Sequence, residues 1–292
     1  MSTVTIVDPG PLSTLQDLGR PGWAHLGVSA SGAADRGAHA LANRLVGNPP
    51  EAATIEALFG GLTLRVDTAV TAAVTGAPAP VRVNDRPADH HTTLPLQPGD
   101  VLLLGVPDAG LRSYVALAGG IVVPPVLGSR AWDSLARLGP APLSAGQVLP
   151  LGASVVDAVG VGHAPVRLPT LEPVTVGVWP GPRTDWLAGG LHALAEREWR
   201  VSVDSDRIGV RLDGTPLRRA SAHEGAELPS EGVVRGAVQL PAGGLPVVFG
   251  SDHPVTGGYP VVAVLPAPDA DLLAQARPGQ AVRFTPRRGP SR

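Results

Sequence analysis

The polar side chains of this sequence that could act on a small molecule fall into four glycine-broken clusters. In the first, Gln16-Asp-Leu-Gly-Arg-Pro-Gly-Trp-Ala-His-Leu-Gly27, the residues Asp17, Arg20 and His25 stand in a segment too rich in glycine for a helix. Charged groups on a surface loop are often aimed at a ligand; the competing reading is an Asp17–Arg20 pair that only pins the loop. In the second, Ser205-Asp-Arg-Ile-Gly-Val-Arg-Leu212, strand alternation puts Arg207, Gly209 and Arg211 on one side and Ile208, Val210 and Leu212 on the other. Two arginine forks on an open face suit a carboxylate or a phosphate, unless Asp206 or Asp213 already fills them. The third, Ser230-Glu-Gly-Val-Val-Arg-Gly-Ala-Val-Gln-Leu-Pro241, places Arg235 and Gln239 on one face of a strand, and a buried Gln239 amide demands polar partners. In the fourth, Asp252-His-Pro-Val-Thr-Gly-Gly-Tyr-Pro260, Gly257 and Gly258 permit close backbone approach beside Tyr259. A plain Gly-Gly turn, with Tyr259 plugging a barrel end, is the alternative.

What the chain lacks narrows the chemistry. All 23 basic residues are arginine. Without lysine there is no Schiff base, no P-loop lysine, and no biotin or lipoate attached to this chain. Cysteine is absent as well, which removes disulfides, thiol nucleophiles and Cys-based zinc sites. Net charge is −2 with the signs interspersed, so no basic stripe points to nucleic acid. G-x-G-x-x-G after a strand, Walker A, H-E-x-x-H and G-x-S-x-G are all missing. His90 and His91 are adjacent; on a strand they would face opposite sides, and no protein metal site is expected. The start, MSTVTIVDPGPLSTL, has neither the basic nor the apolar region of a signal peptide, and no window approaches the ~20 apolar residues of a membrane span. A cytoplasmic location is the expectation.

The elements that must hold these clusters read as short strands. Val-rich runs at residues 4–7, 62–66, 69–74, 101–104, 113–118, 174–178, 201–203, 234–240, 247–249, 261–264 and 281–284 are separated by Gly and Pro, which total 37 and 32 residues. Three segments repeat one design, a glycine-centred turn before a closing strand: Leu96-Gln-Pro-Gly-Asp-Val-Leu-Leu-Leu104, Leu143-Ser-Ala-Gly-Gln-Val-Leu-Pro-Leu151 and Ala276-Arg-Pro-Gly-Gln-Ala-Val-Arg-Phe284. Helices are few. Residues 35–46 put Ala38, Leu41, Ala42, Leu45 and Val46 on one face, with Asp35 as cap and Gly47 as stop; 185–197 and 269–276 are the others, the last with Asp269 as N-cap. Residues 160–173 read as a linker, which divides the chain into 1–165 and 166–292.

The ordered motifs resemble one family over essentially the whole chain. In the first half these are Thr14-Leu-Gln-Asp-Leu-Gly-Arg-Pro-Gly22, Ser31-Gly-Ala-Ala-Asp-Arg36, Leu41-Ala-Asn-Arg-Leu-Val-Gly-Asn48 and Ala118-Gly-Gly-Ile121 running on to Pro124. In the second they are Gly181-Pro182, the 205–212 cluster, Leu228-Pro-Ser-Glu-Gly232, Gln239-Leu-Pro241 and Thr256-Gly-Gly-Tyr-Pro260. The sequence is similar to the family of the 5-oxoprolinase C-subunit, also called allophanate hydrolase subunit 2 or Kip antagonist, which is biotin-dependent carboxyltransferase-like. The resemblance implies a mostly β fold of two cyclophilin-like β-barrel domains with a few short helices. It implies a partner, a homologue of the 5-oxoprolinase B-subunit or allophanate hydrolase subunit 1, together with an A-subunit. It implies a hydrolase component, inactive alone, of an ATP-dependent 5-oxoprolinase that opens 5-oxo-L-proline to L-glutamate. No cofactor would be bound covalently here: ATP would act at the level of the complex, and biotin only through a separate carrier protein.

Two other functions stay open: a carboxyltransferase half-module accepting carboxybiotin, as in urea carboxylase, and a non-enzymatic regulatory partner of a kinase inhibitor. We take Asp17, Arg20, Asp206, Arg207 and Asp252 as candidate catalytic residues. His25, Arg211, Gln239, Gly257, Gly258 and Tyr259 are the candidate substrate contacts; each of these residues either meets substrate or builds the interface with the B-subunit. Two departures from the family pattern stand out. Gly128-Ser-Arg is followed by Ala131-Trp132 instead of Ser-Thr, with a reduced glycine-rich stretch at Leu138-Gly-Pro-Ala-Pro142, and Asp252-His-Pro-Val replaces Asp-x-Gln-Thr.

Overall fold

A computed structural model describes residues 2–153, 166 and 168–287. The chain forms two compact units: Met1–Arg20, Ser31–Asp133 and Arg137–Thr170 make the first, and Pro21–Ala30, Ser134–Ala136 and Leu171–Arg292 the second. Residue 165, the expected division, lies outside the described residues, as do 160–165 and 167 of the expected linker. Among the described residues no helix is long and apolar enough to cross a membrane.

The first unit contains β1 (Thr3–Pro9), β2 (Leu12–Gln16), α1 (Arg36–Leu45), β3 (Thr54–Leu58), β4 (Leu62–Val66), β5 (Val70–Gly76), β6 (Val81–Val83), β7 (Arg86–Ala88), β8 (Thr93–Leu96), β9 (Val101–Leu104), β10 (Arg112–Leu117) and β11 (Val148–Pro150). They pair as two sheets, β11-β1-β4-β9-β6-β7 and β2-β3-β10-β5-β8. Alternate side chains such as Val4, Ile6, Leu62, Leu64, Leu102 and Leu104 from the first sheet meet Leu15, Ile55, Val74 and Val115 from the second in one core. Each such side chain, fully buried, contributes about 1.5–3 kcal/mol.

The second unit contains β12 (Val174–Pro180), α2 (Gly190–Ala195), β13 (Trp199–Val201), β14 (Gly209–Asp213), β15 (Glu231–Gly232), β16 (Ala237–Gln239), β17 (Val247–Phe249), β18 (Thr256–Gly257), β19 (Val261–Val264), α3 (Ala267–Leu273) and β20 (Ala281–Pro286). Here β12-β19-β16-β17-β14-β13-β20 close into a barrel, with β12 and β20 running parallel, while β15 and β18 form a separate two-stranded sheet. Its core gathers Val176, Leu194, Trp199, Leu212, Val248, Val262 and Phe284. The mostly β reading holds in both units; in the first, the ladder runs as two sheets.

The three repeated turns share one geometry. Gly99, Gly146 and Gly279 take φ of 89°, 82° and 82°, a region that a side chain disfavours. The residue after each glycine caps the backbone N–H three positions before itself: Asp100 accepts from Gln97 at 2.7 Å, Gln147 from Ser144 at 3.2 Å and Gln280 from Arg277 at 3.0 Å. Each turn then launches β9, β11 or β20.

The helices depart from expectation in ways that polar partners explain. Asp35 does cap α1, accepting from the Ala38 N–H at 2.9 Å. Its buried face, however, includes His39 and Asn43 beside Ala42 and Leu45, because their polar atoms find partners. The His39 ring sits 2.9 Å from Thr54 Oγ1 and from the Pro50 carbonyl, and Asn43 donates to the Ala52 carbonyl at 2.8 Å. Beside them Glu56 accepts from the Tyr114 hydroxyl at 2.8 Å and from the Ala34 N–H at 3.0 Å. The expected helix at 185–197 is cut to a 3-10 turn, Thr184–Trp186, and α2, since Gly189 and Gly190 adopt φ of 79° and 58°. In α3 the N-cap is Pro266, not Asp269. The Asp269 carboxylate accepts instead from the Gly177 N–H and Arg287, both at 2.8 Å.

His90 and His91 also differ from expectation. They lie in a bend before β8, where the backbone is free of strand alternation, and their rings are 4.3 Å apart with Nδ1 atoms 2.7 Å apart. One ring must donate and the other accept, so a second proton would set two N–H groups against each other. Burial, and then the neighbouring His91, press the His90 pKa down to about 3. Burial lowers His39 as well. Both rings are held neutral when folded and take up a proton on unfolding below about pH 6.5. Stability is therefore complete above that pH and falls as pH drops toward the folded pKa, by up to about 1.4 kcal/mol per pH unit per proton. Chemical denaturation between pH 6.5 and 5 is expected to show this slope, reduced in His90→Leu; parallel slopes in the two proteins would contradict it.

Candidate functional site

In the first unit the Gln16–Arg20 stretch is a buried clamp. Asp17 accepts from the Gly19 N–H at 2.7 Å, from the Ser129 hydroxyl at 2.6 Å and from the Arg130 N–H at 2.6 Å. Arg20 donates to the Ala131 carbonyl and to the Val126 carbonyl, and its Nη1 lies 3.8 Å from Asp133. Each side chain thus fastens the 126–133 loop, and the loop-pinning reading applies with the partners changed. Ser129 and the Arg130 backbone give this loop its anchor on Asp17. His25 belongs to the second unit, in an exposed 3-10 turn with Nδ1 3.2 Å from the Gly22 carbonyl and its ring against Trp23.

The second unit holds a matching clamp. Arg207 faces Asp252 in bidentate fashion, Nε to Oδ2 at 2.8 Å and Nη2 to Oδ1 at 3.0 Å, with side-chain exposures of 7% and 0%. Asp252 Oδ2 also accepts from the Ser134 N–H and hydroxyl, at 2.9 and 2.7 Å. Neither Asp206 nor Asp213 supplies the partner suggested by sequence proximity. Asp206 instead accepts from the Ile208 and Gly209 N–H groups, at 2.8 and 3.1 Å, shaping the turn into β14. The Arg207 fork is therefore turned onto Asp252. Arg211, exposed on β14, keeps a guanidinium without a partner among the described residues. His253, at the departure from the family pattern, packs its ring 5.9 Å from Phe249.

The Thr256–Tyr259 turn is braced from two sides. Gln239, on β16, donates to the Tyr259 carbonyl at 3.2 Å and lies so near Gly257 that a Cβ there would sit 2.5 Å from its Nε2. Arg235 does not share that strand: β16 begins at Ala237, and Arg235 pairs with Asp271 at 2.6 Å. On the β15 side, Glu231 pairs with Gly257 across the small sheet and receives the Arg183 guanidinium at 3.1 Å to both oxygens. Hydrogen bonding to Arg183 holds the Glu231 carboxyl below the usual carboxylate range. Tyr259, 49% exposed, and Gly258 then help to wall a cleft of about 1240 Å³ with Arg218, Arg219, Glu224 and Glu227.

Comparison with known proteins assigns this architecture. The family model described as carboxyltransferase domain, subdomain A and B, matches residues 26–286. The chain belongs to that family. The 5-oxoprolinase C-subunit of Escherichia coli K12 is 36% identical over 283 residues, spanning 96% of this chain and 89% of that protein. The urea amidolyase of Lachancea kluyveri is 31% identical over 96% of this chain, which spans only 17% of that larger protein. Among solved structures, TTHA0988 superposes with a TM-score of 0.87 at 33% identity, and K. lactis urea amidolyase with 0.90 at 28%. This chain spans 56% and 18% of those two chains.

Within this carboxyltransferase-family unit, sequence reasoning passed over Ser134, Arg183 and the 217–228 loop. Arg183 directly follows the Gly181-Pro182 motif, and Arg218-Arg219 was the visible dibasic signal in the loop. Nothing in the sequence pairs Ser134 with a carboxylate 118 residues away. Removing one partner of a buried, hydrogen-bonded ion pair strands the other charge, at a cost of about 3–5 kcal/mol. Arg207→Ala is expected to lose stability on that scale in chemical denaturation, and Arg207→Met combined with Asp252→Leu to lose much less. A stable, inactive Arg207→Ala protein would argue for a role on substrate instead.

Proposed function

We propose that this chain is the C-subunit of an ATP-dependent 5-oxoprolinase, acting with partners of the B-subunit and A-subunit types to open 5-oxo-L-proline to L-glutamate. The observation that carries the reading is two-ended coverage: 96% of this chain aligns with 89% of the E. coli 5-oxoprolinase C-subunit at 36% identity. The corresponding C-subunit of Haemophilus influenzae adds 30% identity over 96% of this chain and 90% of that protein.

The arginines beside the second unit's motifs fit ATP poorly. A triphosphate needs several unengaged cations, whereas Arg207 is held by Asp252, Arg183 by Glu231 and Arg235 by Asp271. We therefore assign nucleotide chemistry to the rest of the complex. This chain would bind and orient: its clamps fix two loops, and the braced Thr256–Tyr259 turn offers a preformed wall for a small polar substrate.

A second reading, carboxyl transfer from carboxybiotin, is favoured by the family model and the superposition on K. lactis urea amidolyase. With no lysine in the chain, the biotin would have to ride on a separate carrier. Reconstitution separates the two. ATP-dependent release of glutamate from 5-oxo-L-proline by the three combined proteins, lost when this chain is omitted, is the expected result. Turnover unchanged by its omission, or activity that appears only with a biotinylated carrier, would overturn the first reading.

A further inference from the structure

We propose that the cleft walled by Arg218, Glu224, Glu227 and Tyr259 binds a zwitterionic α-amino acid. The cleft lies in the second unit, holds about 1240 Å³, and takes Leu217 and Leu228 as apolar lining.

Its loop is built rather than loose. Arg219 stands over the Trp186 ring, 5.6 Å from the centroid, and donates from Nη1 to the Ala226 carbonyl at 2.9 Å. His223 stacks on the same indole at 4.4 Å and 4°, with Nε2 3.2 Å from Asp185. The backbone between them is fastened too: the Ala220 N–H donates to the Trp186 carbonyl at 2.8 Å, and the Ala188 N–H to the Arg218 carbonyl at 3.1 Å. Arg218 therefore has a fixed main chain, and its exposed guanidinium has no partner among the described residues. The carboxylates of Glu224 and Glu227 are exposed and without partners among them as well.

One unengaged cation beside two unengaged anions selects by charge pattern. A guanidinium fork recognises a carboxylate, and the glutamates match an ammonium group. The Tyr259 ring and the two leucines suit the methylenes between. A polyphosphate would meet the repulsion of two carboxylates, and a simple anion would leave them unmatched. The choice of ligand to test rests on the proposed function: opening the lactam of 5-oxo-L-proline frees an α-ammonium beside the existing α-carboxylate, with a second carboxylate on the side chain, which gives L-glutamate.

Calorimetric titration of the full chain with L-glutamate, N-acetyl-L-glutamate and 5-oxo-L-proline tests the proposal. Saturable binding of L-glutamate is expected, about tenfold or more tighter than either compound lacking the ammonium, a difference of about 1.4 kcal/mol. Arg218→Ala, and Glu224→Gln with Glu227→Gln, are each expected to weaken it about tenfold at unchanged melting temperature, since all three groups are exposed. Arg65→Ala, an exposed arginine in the first unit, is the control. No saturable L-glutamate binding at millimolar concentration, equal affinity for the N-acetyl compound, or indifference to Arg218→Ala would overturn the proposal. A complex that opens the lactam while this chain has no glutamate site refutes the cleft alone. A glutamate site in a chain whose omission leaves turnover unchanged refutes the 5-oxoprolinase reading alone.

Discussion

The fork of Arg207 on Asp252 is the constraint on which the second unit's site depends. Desolvating a carboxylate as completely as Asp252 costs several kcal/mol, and the cost is offset only if its lone pairs are filled. Four donor contacts do so, two from Arg207 and two from Ser134. Backbone pairing runs alongside, with the Asp252 N–H donating to the Arg207 carbonyl at 3.0 Å. The turn into β14 and the start of the 252–260 segment are thereby locked together, and Tyr259 follows seven residues later on a chain whose course is set. Asp17 plays the same part in the first unit, where one carboxylate collects three donors.

This use of charge decides what remains for chemistry. In a chain whose cations are all arginine, the strongest anion-binding groups are also the best structural ties. Arg20, Arg207, Arg183 and Arg235 are each engaged by a group of their own unit. In the second unit the exposed arginines without partners among the described residues, Arg211 and Arg218, lie on β14 and in the loop beyond it. A second unit so arranged can present a rigid wall and a few unengaged charges to a small molecule.

Much of the fold was legible because it rests on local rules. The Val-rich runs gave β4, β9, β17 and β19 at their observed bounds, and the glycine turns before β9, β11 and β20 obey the positive φ that only glycine takes cheaply. β2 and β3 escaped notice because buried polar residues, Gln16 and Glu56 among them, interrupt their apolar pattern. The same blindness hid His39 and Asn43 on the inner face of α1. Site residues were legible as motifs but not as roles. Whether an Asp and an Arg three residues apart pair together or each grip a loop more than 100 residues away is settled by tertiary packing. Arg207 looked available because its partner lies 45 residues on.

The central claim, that the motif arginines are ties rather than free anion receptors, is tested most directly by NMR of the guanidinium groups in the intact chain. Held forks have slowly exchanging Nε–H protons and restricted rotation about the Nε–Cζ bond. Arg207 and Arg20 are expected to show both, while Arg211 and Arg218 show averaged, rapidly exchanging signals. Arg207 exchanging as fast as Arg211 would contradict the account.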